Sequence, residues 1–321
     1  MFSPRRILLI QLRAIGDVIL TTPAIRVLRR RFPEARIDFL ANAAPAEALE
    51  NNPHLNEVLI YPYSPNDAAG LLRQGLKLRQ KRYDVVIDFL GTAATALLTR
   101  FSGAPVRVGY RLRFRRILYT HHEIGYRGDI YNALTKFSLL RPLGIQDEEL
   151  APEMFVPAEA EGWAKEYFYR TGLANQSVIA LAPQAKRLRR RWPGDGFAAV
   201  ANWLQDQEHR IILIWAPGER EYVESVAKMI SPEPAISPQT SLMQSAALMK
   251  RCRLLVCNCG GAKHVAVAVG TPTFTIHGPT DPRVWTPPND PRHAFVRSAT
   301  ERTEDVAAEQ VIQGIRAMQI P

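Results

Sequence analysis

Short apolar runs alternate with longer amphipathic segments along the first half of the chain. Strands are predicted at four of these runs, residues 7–12, 36–40, 57–60 and 84–89. The last run is continuous in Val and Ile, which is typical of a strand buried on both faces. The segments between the runs repeat their apolar positions at helical spacing, so this half predicts a parallel sheet covered by helices.

The second half repeats this alternation after a helical segment that ends at Thr171 and Gly172. Further strands are predicted at residues 178–181, 210–215, 253–257 and 271–276. We therefore expect an α/β protein of two Rossmann-like doubly wound domains, residues 1–160 and 172–300, with the C-terminal helix 303–319 packed back on the first. Ligands of such sheets bind at the carboxyl ends of the strands, so the functional residues are sought in the loops that follow them.

The composition of the 321-residue chain suits two globular domains and excludes a disordered protein. Hydrophobic residues make up 46% and charged residues 22% of the sequence, with no low-complexity tract. The excess of 41 Lys and Arg over 31 Asp and Glu, a formal charge of +10, favours partners rich in phosphate. Nucleic acid, an anionic membrane surface and phosphorylated small molecules all meet that description, and charge alone does not choose among them.

Membrane-spanning and metal-binding interpretations find little support in the sequence. No apolar run approaches the roughly 20 residues needed to span a bilayer, so we expect a cytoplasmic protein. The three cysteines, Cys252, Cys257 and Cys259, stand near His264, but no CxxC pair occurs and their segment is predicted to be a buried strand. We therefore predict neither a metal site nor a disulfide framework.

The loop after the first predicted strand holds the first candidate for catalysis. Gly16 and Asp17 lie between strand and helix, where a glycine and free backbone amides allow a ligand to approach closely. Asp17 is either a helix cap or a catalytic carboxylate, and its position alone does not separate the two. A dinucleotide site is disfavoured because no GxGxxG pattern follows the strand.

Loops after the later strands carry features suited to phosphate binding. The segment 186–193 is rich in Lys, Arg and Trp and precedes a helix, so it is either a solvated basic loop or a phosphate site. Residues 217–221 place acids at a helix start, where a carboxylate either binds a ribose or simply favours the helix dipole. Gly260 and Gly261 open another helix with backbone amides that suit a diphosphate.

The chain carries five segments in a fixed order: ILLIQLRAIGDV at 7–18, TPA at 22–24, RRWP at 190–193, PGERE at 217–221 and GPTDP at 278–282. In this order they resemble glycosyltransferase family 9, the ADP-heptose:lipopolysaccharide heptosyltransferases. The resemblance implies a GT-B fold, in which two Rossmann-like domains face each other across a cleft. It also implies an inverting, metal-independent transfer of a heptose-like sugar.

The resemblance assigns roles to residues of both halves. Asp17 corresponds to the general base that accepts the proton of the attacking sugar hydroxyl. Acceptor binding is assigned to Gly16, Arg111, Arg113, Arg115 and Arg116. Donor binding is assigned to Lys186, Arg190, Trp192, Glu221, Thr240, Cys259, Gly260, Gly261, Lys263 and His264. The cations and amides of the donor set are expected to stabilise the departing diphosphate.

The donor segment departs from the family pattern at one point. Where the family has Asp-Ser/Thr-Gly-x-x-His, this chain has Cys259, Gly260 and Gly261 ahead of His264. Because the family aspartate contacts donor-sugar hydroxyls, its absence predicts an altered donor sugar or weak activity. Lys263 adds a cation that is expected to lie beside the diphosphate and to offset part of the loss.

The resemblance also implies the partners of the protein. The donor is expected to be an ADP-sugar, the acceptor a lipopolysaccharide core or lipid A precursor, and no cofactor is expected. The basic acceptor side is expected to dock peripherally on the anionic inner face of the inner membrane. Two alternatives stay open: a weak or inactive nucleotide-sugar-binding protein of the same fold, and a nucleic-acid-binding protein. The second is disfavoured because aromatic residues interleaved with basic ones are scarce.

Overall fold

The computed structural model describes residues 3–64, 67–125, 129–146 and 149–318. The chain divides into two compact units, Met1–Met154 and Phe155–Pro321, and each is built on one six-stranded sheet. All paired strands are parallel. This is the pairing expected when helices connect successive strands of a sheet.

The first unit places two apolar strands at the centre of its sheet. Its strands are β1 Arg6–Ile10, β2 Arg36–Ala41, β3 Glu57–Ile60, β4 Val85–Asp88, β5 Val106–Tyr110 and β6 His121–Glu123. Its helices are α1 Ile15–Ile19, α2 Thr22–Arg31, α3 Ala43–Ala46, α4 Ala68–Gln80, α5 Ala93–Phe101 and α6 Asn132–Ser138. The strand order is β3-β2-β1-β4-β5-β6, and the central β1 and β4 are almost wholly buried because helices cover both faces.

The second unit repeats this architecture. Its strands are β7 Val178–Ala182, β8 Arg210–Leu213, β9 Ala235–Ile236, β10 Leu254–Asn258, β11 Thr273–His277 and β12 His293–Arg297. Its helices are α7 Ala158–Arg170, α8 Gly194–Asp206, α9 Arg220–Ala227, α10 Leu242–Lys250, α11 Gly261–Ala268, α12 Pro282–Trp285 and α13 Ala308–Ala317. The strand order is β12-β11-β10-β7-β8-β9.

The two sheets share one topology. Taken from β3 to β6 and from β9 to β12, the orders correspond strand for strand. The winding reverses between β1 and β4 in the first sheet and between β7 and β10 in the second, and ligands of doubly wound sheets bind outside the carboxyl ends at such points. The predicted α/β class with two Rossmann-like domains is confirmed.

The register at the reversal point of the first sheet positions the loop that carries Asp17. β1 and β4 pair so that Ile10 lies beside Asp88, and the backbone nitrogen of Phe89 donates to the carbonyl of Ile10 at 2.9 Å. Gln11, the first residue after β1, is therefore held close to the end of β4. The chain then turns through the N-cap residue Ala14 into α1.

The C-terminal helix packs within the second unit. α13 contacts β11, β12 and α8, and its Val311 and Ile315 are buried in the apolar core of that unit. Gly314 allows the approach, since a Cβ there would lie 2.4 Å from the ring of Phe274. The apolar face of this helix, which was expected to pack back on the first domain, is buried against the sheet of the second unit.

Candidate functional site

Asp17 lies in the first turn of α1, directly beyond the carboxyl end of β1. Its Oδ1 accepts a hydrogen bond from Nδ2 of Asn132 at 3.2 Å, and its Oδ2 lies 3.4 Å from the backbone nitrogen of Ala14. The second contact is the capping contact that the sequence allowed, but it is too long to be strong. Because the side chain is only half-buried, the carboxylate stays open to a ligand.

Beneath this turn, α6 contributes a buried lysine that the sequence analysis missed. Lys136 is 4% exposed, and its Nζ donates to Oε1 of Gln11 at 2.7 Å and to the carbonyl of Phe89 at 3.0 Å. Burial lowers the pKa of Lys136 to about 8, and the negative charges of Asp17 and Asp88 oppose that shift. The lysine therefore ties the ends of β1 and β4 together with a buried cation.

Asp88 is a second buried carboxylate at the same edge of the sheet. It is fully buried at the end of β4 and accepts hydrogen bonds from the backbone of Leu90 and Gly91 and from the hydroxyl of Tyr119. Burial raises the pKa of Asp88, and these hydrogen bonds oppose the rise. With both oxygens engaged and no exposure, Asp88 shapes the turn after β4.

The four arginines assigned to acceptor binding differ in their surroundings. Arg111, Arg113 and Arg116 are exposed, whereas Arg115 is half-buried and donates to the carbonyl of Gly91. Gly16 is buried in α1. Between the arginines, two large apolar side chains point to solvent: Phe114 is 77% and Ile117 78% exposed. The segment 111–117 is thus a basic surface with an apolar tip.

In the basic segment after β7, Arg190 and Arg191 each carry a buried Nε without a hydrogen-bond partner in the described part of the chain, and the Arg191 guanidinium lies over the ring of Tyr222. Lys186 is exposed, whereas Arg190 is half-buried in a 3-10 turn, Leu188–Arg190. Burial lowers the pKa of Arg190, and Cys259 lies close enough to oppose that shift. A guanidinium with an unused donor is suited to an anionic group.

Trp192, also assigned to donor binding, belongs instead to the core of the second unit. It is 1% exposed, and its indole Nε1 donates to the carbonyl of Val306 at 2.8 Å. Its backbone nitrogen donates to Oδ1 of Asn258 at 2.9 Å, and its ring packs edge-on against Phe197. The assignment of a direct donor contact is not supported, because the indole and backbone N–H groups of Trp192 are already satisfied inside the protein.

The Gly260–Gly261 turn leaves room for a ligand at the start of α11. A Cβ at Gly261 would meet nothing within 4 Å, and one at Gly260 only the carbonyl of Asn258 at 3.9 Å. The backbone at Gly260 is extended, so no strain demands glycine there. Open space over free amides at a helix start is the arrangement that binds phosphate groups in other proteins.

Lys263, in the first turn of α11, makes its hydrogen bonds inside the second unit. It is fully buried, and its Nζ donates to the carbonyl of Trp285 at 2.7 Å and to Oγ1 of Thr286 at 2.8 Å. Burial lowers the pKa of Lys263 to about 8. The expectation that Lys263 lies beside a diphosphate and offsets part of the loss of the family aspartate is therefore not supported, since its ammonium group is engaged with Trp285 and Thr286.

Two buried histidines adjoin this lysine. His264 packs edge-on against Trp285, and burial, with Lys263 nearby, lowers its pKa to about 3. His277 ends β11, and its Nδ1 forms a hydrogen bond with Oγ1 of Thr280 at 2.9 Å. Its Nε2 is buried without a hydrogen-bond partner among the residues described. Both rings are neutral at physiological pH, so they offer hydrogen bonds and no charge.

The remaining donor candidates occupy loops at the carboxyl edge of the second sheet. Cys259 is 4% exposed directly after β10, and Glu221 is exposed in the first turn of α9. Thr240 is half-buried beside the N-cap of α10. Glu219, two residues before Glu221, accepts from the backbone nitrogen of Ala216 at 2.9 Å and therefore closes the turn itself.

The described ranges hold neither a cluster of metal-ligating side chains nor a helix suited to crossing a membrane. No group of three or more His, Cys, Asp or Glu side chains there is placed to hold a metal ion. In the same part of the chain, no helix has the length and apolarity to cross a membrane. All three cysteines are buried and free.

Comparison with known proteins gives consistent matches. Residues 71–315 match the model of a family described as glycosyltransferase family 9 (heptosyltransferase). The chain is 26% identical over 293 residues to lipopolysaccharide heptosyltransferase 3 of Escherichia coli (strain K12), covering 85% of this chain and 82% of that protein. It is 26% identical over 317 residues to lipopolysaccharide heptosyltransferase 2 of the same strain, covering 92% and 88%.

Solved structures show the same fold. The glycosyl transferase family 9 protein of Veillonella parvula DSM 2008 superimposes with a TM-score of 0.89 at 24% identity, covering 98% of this chain and 97% of that one. The ADP-heptose lps heptosyltransferase II of E. coli gives a TM-score of 0.82 at 23% identity, with 98% of both chains covered. The predicted GT-B fold class is confirmed by these likenesses.

Proposed function

Because the chain belongs to glycosyltransferase family 9, the heptosyltransferase family, we propose that it transfers a heptose-like sugar from an ADP-sugar to a lipopolysaccharide core acceptor. The chain is a glycosyltransferase, and its relatives in E. coli carry the names lipopolysaccharide heptosyltransferase 2 and 3. Solved structures of E. coli heptosyltransferase WaaC contain ADP and ADP-2-deoxy-2-fluoro heptose, which supports an ADP-linked donor.

The observation that carries the proposal is the partly open carboxylate of Asp17 at the carboxyl end of β1. A sugar hydroxyl is a weak nucleophile at neutral pH, so a carboxylate within hydrogen-bond reach accepts its proton as it attacks the anomeric carbon. The new carbon–oxygen bond forms as the bond to the diphosphate breaks, and ADP leaves with the bonding pair. Attack on the face opposite the leaving group inverts the anomeric centre.

The departing diphosphate is assigned to the second unit. Arg190 supplies a cation with an unused donor, Lys186 is an exposed cation close by, and the Gly260–Gly261 turn supplies free amides. Such groups are aimed at charge that grows in the transition state, which is where electrostatic stabilisation accelerates a reaction. In this proposal they stabilise the negative charge of the leaving diphosphate, as a divalent metal does in other glycosyltransferases.

Cys259 bears on which donor sugar the protein binds. A buried thiol accepts hydroxyl hydrogen bonds poorly, so the donor is bound without the carboxylate that the family places here. Lys263 does not compensate for the loss, because its ammonium is engaged with α12. A sugar whose hydroxyl at this position is absent or differently oriented would fit this site better than the family's usual heptose.

The test of the proposed function is a transfer assay with ADP-heptose and a heptose-free lipopolysaccharide core, run in EDTA beside other nucleotide sugars. We expect one ADP-sugar to be turned over selectively and at the same rate with and without EDTA. A loss of turnover in EDTA that Mg²⁺ or Mn²⁺ restores would contradict the metal-independent mechanism. Selective binding of an ADP-sugar without any turnover would identify an inactive nucleotide-sugar-binding protein.

The exposed segment 111–117 is proposed to contact the anionic membrane that holds the acceptor. Phe114 and Ile117 are more exposed than other large apolar residues described, and Arg113 and Arg116 flank them. Apolar side chains that enter the headgroup region next to cations are a common means of peripheral membrane binding. The guanidinium of Arg113 lies 5.0 Å from the ring centre of Phe114, so apolar and cationic groups form one surface.

Vesicle sedimentation checks this contact. We expect binding to phosphatidylglycerol vesicles, weakened by salt, and a loss of about tenfold or more when Phe114 and Ile117 are both replaced by Ser. The matched control is Leu72→Ser, which removes a half-exposed apolar side chain from α4. Equal binding by the double variant, or equal binding to phosphatidylcholine, would count against a role for this surface at an anionic membrane.

A further inference from the structure

α6 presents two polar side chains, one helical turn apart, to the loop that carries Asp17. Asn132 donates to the Asp17 carboxylate, and Lys136, four residues later, donates to Gln11 in the same loop. Residues four apart lie on one face of a helix, so a single short helix directs an amide to the Asp17 carboxylate and an ammonium group to Gln11, in the loop that leads to it. Neither residue belongs to the segments that carry the family resemblance.

We propose that Lys136 is a positioning residue for Asp17: it holds the loop that carries the carboxylate and places a buried positive charge near it, while Asn132 orients the carboxylate. The inference rests on the proposed role of Asp17 as general base. It assigns to α6 a function in the reaction that neither residue performs by touching a substrate.

The contacts of Lys136 favour an electrostatic role over simple packing. Its Nζ binds two neutral acceptors, on Gln11 and Phe89, and no carboxylate in the described ranges lies within ion-pair distance of it. A buried ammonium ion without an ion pair is costly, and a neutral side chain would fill the space more cheaply. What distinguishes a lysine here is the field that it exerts on the nearby carboxylates.

Five other ionisable groups lie around Lys136, and none of them supplies a free positive charge. They are Asp17 itself, Asp88 on β4, Tyr110 on β5, and Tyr119 and Arg115 from the segment between β5 and β6. Burial raises the pKa of both tyrosines far above the physiological range, so they stay neutral. Arg115 directs its guanidinium to the carbonyl of Gly91. At neutral pH the buried lysine is charged, since its pKa of about 8 lies above that range.

The test is the pH profile of kcat/KM for Lys136→Met in the full-length protein. Removing the cation makes Asp17 easier to protonate, so we expect the acid limb of the profile to move to higher pH by about one unit. Activity then falls about tenfold at a pH on that limb and less at the plateau. A packing defect alone would lower activity across the whole profile without moving the limb, and that outcome would overturn the inference.

A second variant decides the matter if Lys136→Met does not fold. Gln11→Glu is nearly isosteric, keeps the lysine and places a negative charge 2.7 Å from its Nζ, so the acid limb is expected to move in the same direction. Gln11→Met removes both the donor to the carbonyl of Arg13 and the acceptor for Lys136 without adding charge, and an equal shift in that control would overturn the inference. Lys263→Met removes a similarly buried lysine from the second unit and should leave the limb in place.

The outcomes also separate this inference from the proposed function. If Asp17→Asn keeps its turnover, the proposed base is wrong, and the role of Lys136 fails with it. If Asp17→Asn loses turnover while neither Lys136→Met nor Gln11→Glu moves the acid limb, the base stands and only the positioning role is overturned.

Discussion

Replacing Arg190 with Met is expected to lower kcat for sugar transfer by about 10²- to 10³-fold without destabilising the unliganded protein. The guanidinium stays charged even though burial lowers its pKa, and its buried Nε has no partner within the part of the chain that the structure describes. An unsatisfied donor costs stability until a ligand engages it. Its removal should therefore leave the melting temperature of the free protein unchanged or slightly higher.

Calorimetry with and without ADP, beside steady-state kinetics, checks this prediction. ADP should raise the melting temperature of the wild type and raise that of Arg190→Met much less, because binding to the native state alone stabilises it. The matched control is Arg189→Met, which removes an exposed arginine from the same 3-10 turn. If the Arg190 variant melts earlier but responds to ADP like the wild type, Arg190 is a structural residue and does not bind the leaving group.

The fold could be predicted from the sequence where apolar runs are long and buried. The runs that became β1, β4, β7 and β10 form the centres of the two sheets, and helix cover on both faces leaves a clear apolar pattern. β6 is made of His121, His122 and Glu123, and β9 has only two residues. No periodicity marks such strands, because pairing with a neighbour creates them.

The sequence predicts which segments form the candidate site, but it does not predict which of their side chains face a ligand. Asp17 and the Gly260–Gly261 turn follow strands, so the topology alone brings them to a carboxyl edge. Trp192 lies in the expected loop and Lys263 in the first turn of α11, but both are buried, because the partners that satisfy them come from distant segments. The sequence assigns a residue to a loop, and tertiary contacts decide whether it faces a ligand.

Asn132 and Lys136 were missed for the same reason: each lies far along the chain from the residue that it contacts at the site. Asn132 lies 115 positions from Asp17, and Lys136 lies 125 positions from Gln11. A lysine on a short helix is usually a solvated one, and nothing in the local pattern marks Lys136 as buried. Only the packing of α6 beneath the loop after β1 shows that these residues belong with the proposed base.

The largest effect is expected from Asp17→Asn, which should lower kcat by about 10²- to 10⁴-fold, the usual contribution of a general base. The fold should survive, because the carbonyl oxygen of the introduced amide can still accept the hydrogen bond that Asn132 donates to Asp17. What the amide cannot do is take the proton of the acceptor hydroxyl. Affinity for ADP should stay within a few-fold, since the proposed nucleotide contacts belong to the second unit.

A matched control exists for this variant in the same unit. Asp67 caps α4, where its carboxylate accepts from the backbone nitrogen of Gly70 at 2.7 Å. Asp67→Asn makes the same chemical change at a capping carboxylate away from the proposed site, and it should leave kcat unchanged. A comparable loss in both variants would show that the change acts through helix capping.

The most direct measurement is turnover of ADP-heptose by wild type and Asp17→Asn, paired with ADP titration of the same preparations by calorimetry. The proposed mechanism predicts that turnover falls at least about a hundredfold while the Kd for ADP changes by no more than a few-fold. Turnover within tenfold of the wild type would remove Asp17 from the mechanism. A parallel loss of ADP binding would instead place Asp17 with the donor and contradict its assignment to the acceptor hydroxyl.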